Sequence, residues 1–302
     1  MAGPKPGQKT VLVTGCTPGG IGHSLCLEYH KQGLHVIATA RRPEVLAELA
    51  DLGISTVALD VTDAESIKKC HAEVAEINGG KLDILVNNAG RTHTHPALDI
   101  SLPDVRATFE TNVFAIMAMV QAFIDQLIAA RGLIINISSL SSITPYMFGS
   151  VYCASKAAVS AYSRTLRMEL APFGVRVMVS MTGTVKSNTA SQGHRALPAD
   201  SLYQKVKHIF EWRLVYSQNH STMDTTTFTK RLVADSLRPE RPLWLRSYFG
   251  RPDWFWYGGK SRFAWFGHSF GEWLVDAVCW YTFRMPEIAK LIGNDAAQKK
   301  RN

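Results

Sequence analysis

The 302-residue sequence predicts an α/β protein built on a doubly wound parallel sheet, with helices on both faces in a three-layer α/β/α arrangement. Two observations carry this prediction. Short, continuous apolar runs alternate with amphipathic stretches of helical period, which is typical of buried parallel strands joined by helices. A glycine-rich turn directly follows the first apolar run, where folds of this class begin their first helix. Hydrophobic residues make up 46% of the chain, enough for one large core.

The predicted elements follow one another regularly over residues 10–180. Strands are predicted at 11–13, 35–38, 56–59, 82–86, 133–137 and 175–179. Helices are predicted between them at 22–32, 42–52, 63–76, 104–130 and 151–171, and a further helix at 225–237. We expect one domain, with its core at 10–187, a substrate-capping region and helix at 188–238, and an extension rich in aromatic and basic residues at 239–302.

Composition and charge narrow the function classes. The five cysteines form no CxxC pair or His/Cys cluster, so we expect reduced thiols and no metal site. The first nine residues lack the apolar stretch of a signal peptide. The sequence contains no run of eighteen uncharged apolar residues, so we do not expect a membrane-spanning helix. The net charge is +8, but basic residues are scattered, so nucleic-acid binding is not expected. We expect a cytoplasmic protein that is not secreted.

The turn after the first strand contains the residues that a dinucleotide phosphate needs. It reads Thr14-Gly15-Cys16-Thr17-Pro18-Gly19-Gly20-Ile21-Gly22. A side chain at the glycine positions would block the tight turn and the approach of pyrophosphate to backbone amides, and the following helix points its positive end at the phosphates. We therefore expect Gly15, Thr17, Gly20, Ile21 and Gly22 to bind a dinucleotide, against the alternative of a plain turn.

The end of the second strand distinguishes between the two nicotinamide cofactors. An NAD enzyme usually places a carboxylate there for the ribose 2′-hydroxyl. Here the strand leads into Arg41 and Arg42, and the first carboxylate is Glu44. Guanidinium groups match a 2′-phosphate in charge and in fork geometry, so the sequence predicts NADPH/NADP+. The alternative is two solvated arginines at the start of a helix.

Further signatures accompany the glycine turn. They are Asp60-Val61, Asn87-Asn88-Ala89-Gly90, Asn112, Ser139 and Tyr152-x-x-x-Lys156. Together with Thr14-Gly15 and Gly20-Ile21-Gly22, they resemble the short-chain dehydrogenases/reductases over about residues 10–190. The resemblance implies a doubly wound (Rossmann) fold and reversible hydride transfer between a nicotinamide cofactor and a small-molecule ketone or alcohol. It also implies a homodimer or homotetramer.

The resemblance assigns roles to the catalytic residues. It implies that Tyr152 donates a proton to the substrate oxygen, that Ser139 holds that oxygen, and that Lys156 binds the nicotinamide ribose. Asn112 is implied to anchor a water that relays protons to the lysine. Because Tyr152 and Lys156 are four residues apart on a helix, they share a face. We expect the ammonium, together with the charge of the oxidised nicotinamide, to lower the pKa of the phenol.

The resemblance also extends the expected cofactor site. Asn88, Ala89 and Gly90 are implied to close its adenosine side, and Asp60 with Val61 to reach the adenine. Near the nicotinamide carboxamide, the family often has Pro-Gly after the sixth strand, whereas this chain continues Thr182-Gly183-Thr184-Val185-Lys186-Ser187. We still expect Gly183, Val185 and Ser187 to contact the cofactor. The glycine turn carries one residue more than the common pattern, which leaves open which of its amides bind.

A narrower resemblance concerns the substrate. Pro96-Ala97-Leu98-Asp99, Phe148-Gly149-Ser150 and the long C-terminal extension are similar to fungal 1-acyldihydroxyacetone-phosphate reductases. These enzymes reduce an acylated dihydroxyacetone phosphate with NADPH at lipid droplets or the endoplasmic reticulum. Two alternatives stay open: a ketoreductase acting on a fungal natural-product intermediate, and a scaffold or cyclisation catalyst that performs no redox step.

The last third of the chain interleaves aromatic and basic residues. Between residues 244 and 283 it holds six tryptophans and three tyrosines, with arginines between them. One interpretation is an interfacial segment at 239–285 that contacts a membrane or lipid droplet, with rings at headgroup depth and basic residues near lipid phosphates. The other is an extension that packs on the core or on a partner subunit, since aromatic residues also dominate protein interfaces.

Overall fold

The computed structural model describes residues 3–187, 196–220 and 222–299, and its backbone confirms the three-layer α/β/α prediction. The strands are β1 (Thr10–Val13), β2 (His35–Ala40), β3 (Ser55–Ala58), β4 (Ile84–Asn87), β5 (Leu133–Ile137), β6 (Arg176–Thr182) and β7 (Trp254–Tyr257). They form one sheet in the order β3-β2-β1-β4-β5-β6-β7, and every neighbouring pair is parallel. The order reverses between β1 and β4, so their carboxyl ends mark the crevice where such sheets bind ligands.

Helices cover both faces of the sheet. In chain order they are α1 (Ile21–Lys31), α2 (Ala47–Asp51), α3 (Ala64–Asn78), α4 (Leu102–Phe109), α5 (Ala115–Ala130), α6 (Ser150–Leu170), α7 (Lys207–Asn219), α8 (Thr225–Ser236), α9 (Leu243–Phe249), α10 (Ser261–Phe270), α11 (Glu272–Thr282) and α12 (Met285–Lys299). A π-helical turn, Glu110–Phe114, joins α4 to α5. The predicted helix at 104–130 is therefore continuous, but its pitch changes in the middle.

The core has two halves because side chains alternate across the strands. In β1, Val11 and Val13 pack against α1 and α8, whereas Leu12 faces α3, α5 and α6. The inner strands β1, β4 and β5 are buried on both faces, which explains their nearly continuous apolar sequence. The sheet is thereby held rigidly, and the loops at its carboxyl edge are positioned by a packed interior.

Short polar residues begin several helices. Asp63 caps α3 by accepting a hydrogen bond from the Glu65 amide at 3.0 Å, and Asp224 caps α8 through the Thr227 amide at 3.0 Å. Gly20 begins α1 and has no side chain for this purpose. Of the helices α1, α3 and α8, only α1 begins without a side-chain cap, so a bound anion can accept hydrogen bonds from its first backbone amides.

The seventh strand corrects the predicted organisation. Trp254, Phe255, Trp256 and Tyr257 lie within the segment expected to be an extension, yet they form β7 on the outer side of β6. Aromatic residues suit the pleated, half-buried surface of a sheet, and the Phe255 ring is 3% exposed in the core. The core sheet therefore continues past residue 239. Residues 188–195 and Ser221 of the predicted capping region, and the end of the basic tail at 300–302, lie outside the described residues.

One helical run has the length and composition of a membrane span. The run from Leu102 to Ala130 contains a window with a mean hydropathy of 1.9, and 44% of that window is buried. In this fold the run packs on the sheet: Met119 and Phe123 belong to the core beside β4 and β5. A buried core helix passes the same test of length and composition, so this run provides weak evidence for a membrane span.

Candidate active site

The glycine turn adopts the shape that a phosphate cradle requires. Gly15 and Gly19 have φ angles of 73° and 74°, a region that favours glycine. A Cβ on Gly22 would lie 2.5 Å from the Gly15 carbonyl oxygen and 2.5 Å from Nδ2 of Asn88. Thr17 is exposed at the tip of the turn. Glycines are therefore required here by backbone conformation and by close approach, and the open start of α1 lies directly behind them.

Asn88 ties the glycine turn to the end of β4. Its side-chain amide donates hydrogen bonds to the carbonyl oxygens of Thr14, at 2.8 Å, and Gly15, at 3.1 Å. The Thr14 hydroxyl in turn accepts from the backbone amides of Asn88 and Ala89, both at 3.0 Å. The predicted residues Asn88 and Ala89 thus fix the shape of the phosphate cradle, which the sequence pattern did not reveal.

The arginines after β2 lie where a ribose 2′-phosphate would be expected. Arg41 and Arg42 are both exposed, and Arg41 is close enough to influence Asp60. Partial burial alone would raise the pKa of Asp60, but hydrogen bonds from Thr62 and the charge of Arg41 leave it below its usual value. One carboxylate oxygen of Asp60 already accepts from the Thr62 hydroxyl at 2.7 Å and its amide at 2.9 Å. Val61 is 9% exposed and packs in the core.

Ser139 and Tyr152 meet at the carboxyl edge of the sheet. Ser139 follows β5 and begins the short turn Leu140–Ser142, where its hydroxyl accepts from the Ser141 amide at 3.2 Å. Tyr152 lies in the first turn of α6, and its phenol interacts with the Ser139 hydroxyl by a hydrogen bond. The predicted pair is therefore brought together, across thirteen residues of sequence, at the ligand-binding edge.

Lys156 lies one turn further along α6 and is 6% exposed. Its ammonium donates a hydrogen bond of 2.8 Å to the carbonyl oxygen of Ile137, the last residue of β5, and lies 5.9 Å from the centre of the Tyr152 ring. Burial lowers the pKa of Lys156 to about 8. The amine is thus a group that can gain or lose a proton close to neutral pH.

Without the cofactor the pKa of Tyr152 is not lowered, and the expectation for the site with oxidised nicotinamide stays a prediction. Burial raises the pKa of the phenol to about 12, and the hydrogen bond from Ser139 offsets only part of this rise. Removal of the phenol from water penalises the phenolate more strongly than the nearby groups stabilise it. Tyr152 is therefore held in its neutral, proton-donating form.

Asn112 lies in the π turn, and its side chain is fully enclosed. Its Nδ2 donates to the Arg91 carbonyl and to the Ser155 hydroxyl, both at 3.0 Å, while its Oδ1 accepts from the Arg91 amide at 2.9 Å. A Cβ on Gly90 would lie 3.3 Å from Oδ1 of Asn112 and 3.8 Å from Nζ of Lys156. The missing side chain of Gly90 therefore leaves a gap between the asparagine and the lysine, where one water could bridge them through the second lone pair of Oδ1.

The residues after β6 have structural roles as well as the expected cofactor role. A Cβ on Gly183 would lie 2.3 Å from the Gly259 carbonyl oxygen, so glycine is needed there for packing against the end of β7. The Val185 side chain is 6% exposed in the core, and only its backbone can reach a cofactor. The Ser187 amide donates to Oε1 of Gln218 on α7 at 3.3 Å. Cofactor contacts at these three positions stay predictions.

A cavity of about 330 Å³ adjoins this site on a different side of α6. It is lined by Ser141, Ser142, Ile143, Thr144, Pro145, Cys153, Ala154, Ala157, Glu272 and Asp276. Its lining includes Cys153 and Ala157, each one position after Tyr152 and Lys156 on α6, but neither of those two catalytic residues. We therefore do not assign the cavity to the substrate. It shows instead that α11 packs over the loop that follows Ser139.

Comparison with known proteins identifies the family. The family model of the short chain dehydrogenases matches residues 9–196. The chain belongs to this family. One relative, the short-chain dehydrogenase fogD of Aspergillus ruber, is 39% identical over 94% of this chain and 95% of its own length. Another, the NADPH-dependent 1-acyldihydroxyacetone phosphate reductase of Schizosaccharomyces pombe, is 42% identical over 67% of this chain and 70% of its own length.

A solved structure extends the likeness to almost the whole chain. A short-chain dehydrogenase from Streptomyces avermitilis is 26% identical, has a TM-score of 0.73, and covers 94% of this chain and 97% of its own. The C-terminal elements are thus compatible with the fold of a short-chain dehydrogenase. The chain is an oxidoreductase of this family, and the glycine turn, Ser139, Tyr152 and Lys156 occupy one continuous edge of its sheet.

Two features of the site escaped the sequence prediction. The π turn at Asn112 leaves no residue signature, because it arises from packing against the neighbouring elements. Arg213 on α7 is completely buried close to the catalytic helix. Its position was visible in principle: Ile209, Phe210 and Tyr216 are spaced at helical intervals around it, so the arginine falls on an apolar helix face.

Proposed function

We propose that this short-chain dehydrogenase reduces a ketone to a secondary alcohol with NADPH, and that Tyr152 protonates the carbonyl oxygen. The observation that carries the proposal is a buried phenol that interacts with Ser139 and lies beside Lys156, at the same sheet edge as the glycine cradle. When bound, the dihydronicotinamide supplies the hydride for the carbonyl carbon. The reaction is reversible, and the same residues serve alcohol oxidation.

The raised pKa of Tyr152 suits the role of proton donor that reduction requires. A phenol with a pKa of about 12 is neutral at pH 7, so it carries the proton that the substrate oxygen needs. The Ser139 hydroxyl can donate to the same oxygen and favour its developing negative charge. After transfer, the charged Lys156 can stabilise the phenolate, and the gap at Gly90 gives a water access to both Lys156 and Asn112.

The charge at the end of β2 supports NADPH as the cofactor. Arg41 and Arg42 are exposed beside Asp60, and neither has an ion pair among the described residues that would occupy its guanidinium. A phosphate on the ribose satisfies that charge, whereas a free 2′-hydroxyl would leave two like charges beside it. The NADPH dependence of the relative from Schizosaccharomyces pombe agrees with this choice.

For the substrate, we propose a 1-acyldihydroxyacetone phosphate, with a ketone of a fungal natural product as the alternative. The first is favoured by the 42% identity to the reductase named for that substrate. The second is kept because fogD, which matches nearly the full chain, has a name that specifies no substrate. A purified sample is supplied with NADPH and either an acylated dihydroxyacetone phosphate or bulky cyclic ketones. The rate of NADPH oxidation and the alcohol formed are then measured. If the acylated dihydroxyacetone phosphate does not increase the rate of NADPH oxidation, the assignment of that substrate is contradicted.

A protein of this fold that acts as a scaffold or cyclisation catalyst would need no proton donor at position 152. Substitution of Tyr152 by Phe separates the two classes. Activity that depends on NADPH oxidation is lost in the variant if the chain is a reductase. A scaffold keeps its activity, because the phenyl ring retains the packing of the tyrosine.

A further inference from the structure

Arg213 is among the largest side chains that are completely buried in this molecule. It lies on the inner face of α7 and is 0% exposed. A guanidinium stays charged at any physiological pH, and a charge in the protein interior is unfavourable unless it is paired. Nε, Nη1 and Nη2 of Arg213 nevertheless have no hydrogen-bond partner among the described residues. This side chain is therefore a buried cation without an anion.

Aromatic rings surround the guanidinium without satisfying it. Its Cζ lies 3.4 Å from the centre of the Tyr146 ring, 4.9 Å from that of Phe283 and 5.8 Å from that of Tyr216. Ring faces attract a cation, but they accept none of its five N–H groups in the plane of the guanidinium. The guanidinium thus lies directly against Tyr146, and its three nitrogens are enclosed without an acceptor among the described residues.

The cage adjoins the catalytic residues. Tyr146, on which the guanidinium is stacked, is itself 6.4 Å from Tyr152 between ring centres. Burial raises the pKa of the Cys153 thiol to about 11, and the positive charge of Arg213 acts against that rise, so the guanidinium also lies near the residue that follows Tyr152. A single ring, that of Tyr146, thus links the guanidinium to the ring of the proposed proton donor Tyr152.

A second cation faces the same cage. Lys260, at the start of α10, donates a hydrogen bond of 2.7 Å to the Tyr216 hydroxyl and lies 4.8 Å from the centre of its ring. Asp276 on α11 acts on the nearby Cys279 together with both cations, but no ion pair joins it to either of them within the described residues. Two positive charges therefore flank Tyr216 without a carboxylate between them.

We propose that Arg213, assisted by Lys260, binds an oxyanion of the substrate, a phosphate or a carboxylate carried on the same molecule as the ketone. This inference rests on the proposed reduction and narrows its substrate class to anionic ketones. The planar fork of the guanidinium suits two oxygens of either group, and Lys260 adds a point charge from the other side of Tyr216.

Matched substrates test the proposal directly. The full chain is assayed with NADPH and 1-acyldihydroxyacetone phosphate or its dephosphorylated ketone, and with a long-chain 3-oxo acid or its methyl ester. We expect kcat/KM to favour the anionic member of a pair by on the order of 10–100-fold, the range of hydrogen bonds to charged groups. The pair that shows the preference identifies the anion as phosphate or carboxylate.

Variants separate anion binding from a packing role. In Arg213→Met the preference falls towards unity while kcat/KM for the neutral ketone stays near the wild-type value, and Lys260→Met gives a smaller loss of preference. Lys207→Met, which removes an exposed cation from the same helix, changes neither. An equal loss for both members of a pair in Arg213→Met, or no preference in the wild type, overturns the proposal.

Direct binding keeps this test independent of turnover. With NADP+ at saturation, so that the cofactor site cannot take up the probe, inorganic phosphate is titrated calorimetrically into the wild type and the variants. We expect binding that Arg213→Met abolishes and Lys207→Met retains. If the protein reduces neutral ketones but does not bind phosphate, the oxyanion site is contradicted and the proposed reductase function stands. Failure to reduce any ketone, with phosphate binding intact, contradicts only the proposed function.

Discussion

The catalytic half of the molecule and its C-terminal region expose very different surfaces. In residues 10–187 the rings are almost all enclosed, and Phe114 and Phe173 are the large aromatic residues that are at least half exposed. From α9 to α11 the rings of Trp244, Tyr248, Phe249, Phe263, Trp265, Phe266, Phe270, Trp273, Trp280 and Tyr281 are all exposed. The first half is a closed core that holds a reaction site. The second offers apolar surface to something outside the described fold.

The difference has a physical origin. A parallel sheet buries both of its faces, so nearly every apolar side chain of the first half finds a partner in one of two core clusters. The C-terminal helices lie around the edge formed by β7, where a single sheet edge offers little area to cover them. Phe255, Ala264, Val275 and Phe283 are buried there, and these residues anchor the region. The interpretation as an extension that packs on the core therefore holds for these buried residues, whereas contact of the exposed rings with a membrane stays a prediction.

The largest expected effect lies in the closed half. Tyr152→Phe removes the proton donor without removing the ring, so we expect kcat to fall by about 10²–10⁴-fold, the usual contribution of general acid catalysis. Thermal stability should stay close to that of the wild type. Initial rates of NADPH oxidation and a melting curve measure both. Tyr162→Phe, on the same helix but within the core, is the matched control. A similar loss in that control would mean that α6 itself, and not the phenol, was disturbed.

Arg41 tests the cofactor end of the same half. Arg41→Ala should reduce the preference for NADPH over NADH by about 1–3 kcal/mol, the scale of hydrogen bonds to a charged phosphate. The ratio of kcat/KM for the two cofactors measures this effect. Arg131→Ala, far from the glycine turn at the end of α5, is the control. Equal use of both cofactors by the wild type would remove the argument for a 2′-phosphate.

The buried charge of Lys156 lowers the free energy of unfolding, although catalysis needs this residue. Its pKa is lowered to about 8 in the folded protein, so the unfolded chain binds more protons between about pH 8 and 10.5. The cost of burying the charge is therefore fully present below pH 8 and disappears as the pH rises towards 10.5. Lys156→Met should be inactive but more stable than the wild type at pH 7, by about 1–2 kcal/mol after loss of the Ile137 hydrogen bond.

Denaturant unfolding at pH 7 and pH 9.5 checks that prediction. The stability gap between Lys156→Met and the wild type should narrow at the higher pH. The same titration predicts that kcat/KM for reduction falls as the pH rises through about 8, since neutral Lys156 no longer stabilises the phenolate. A gap that does not depend on pH would show that the lysine is destabilising for reasons other than its charge.

The smallest expected effect tests the open region. We propose that the exposed rings of α10 contact an anionic lipid surface, because exposed basic residues such as Arg262 lie among them. The protein should sediment with phosphatidylserine-containing vesicles. A triple substitution of Trp265, Phe266 and Phe270 by serine should weaken this by about tenfold, since each ring retains only part of the roughly 1.5–3 kcal/mol of full burial.

Phe173→Ser provides the matched control for the lipid experiment, because it removes an exposed ring from the closed half. Its vesicle binding should equal that of the wild type. If the wild type does not sediment, and the triple variant instead changes from a larger assembly to a smaller one in gel filtration, the rings form an interface between protein subunits.

The sequence predicted features that depend on neighbouring residues better than features that depend on tertiary packing. The glycine turn and the spacing of Tyr152 and Lys156 are local patterns, and the structure places them where they were expected. The strand at Trp254–Tyr257 was missed because four aromatic residues suit an interface as well as a sheet edge. The family's pattern pointed to Asn112, but its π turn depends on how α4 and α5 pack.

By itself, the sequence determined the parallel sheet and the phosphate cradle, because backbone preference and helical period act over a few positions. The candidate catalytic residues came from the resemblance of its motifs to the family. The tertiary structure alone decided the protonation of the site and the surroundings of its charges. Burial raises the pKa of Tyr152, lowers that of Lys156 and encloses Arg213 in rings. The free energy of a charge depends on everything within several ångströms of it, and those neighbours come from distant parts of the chain.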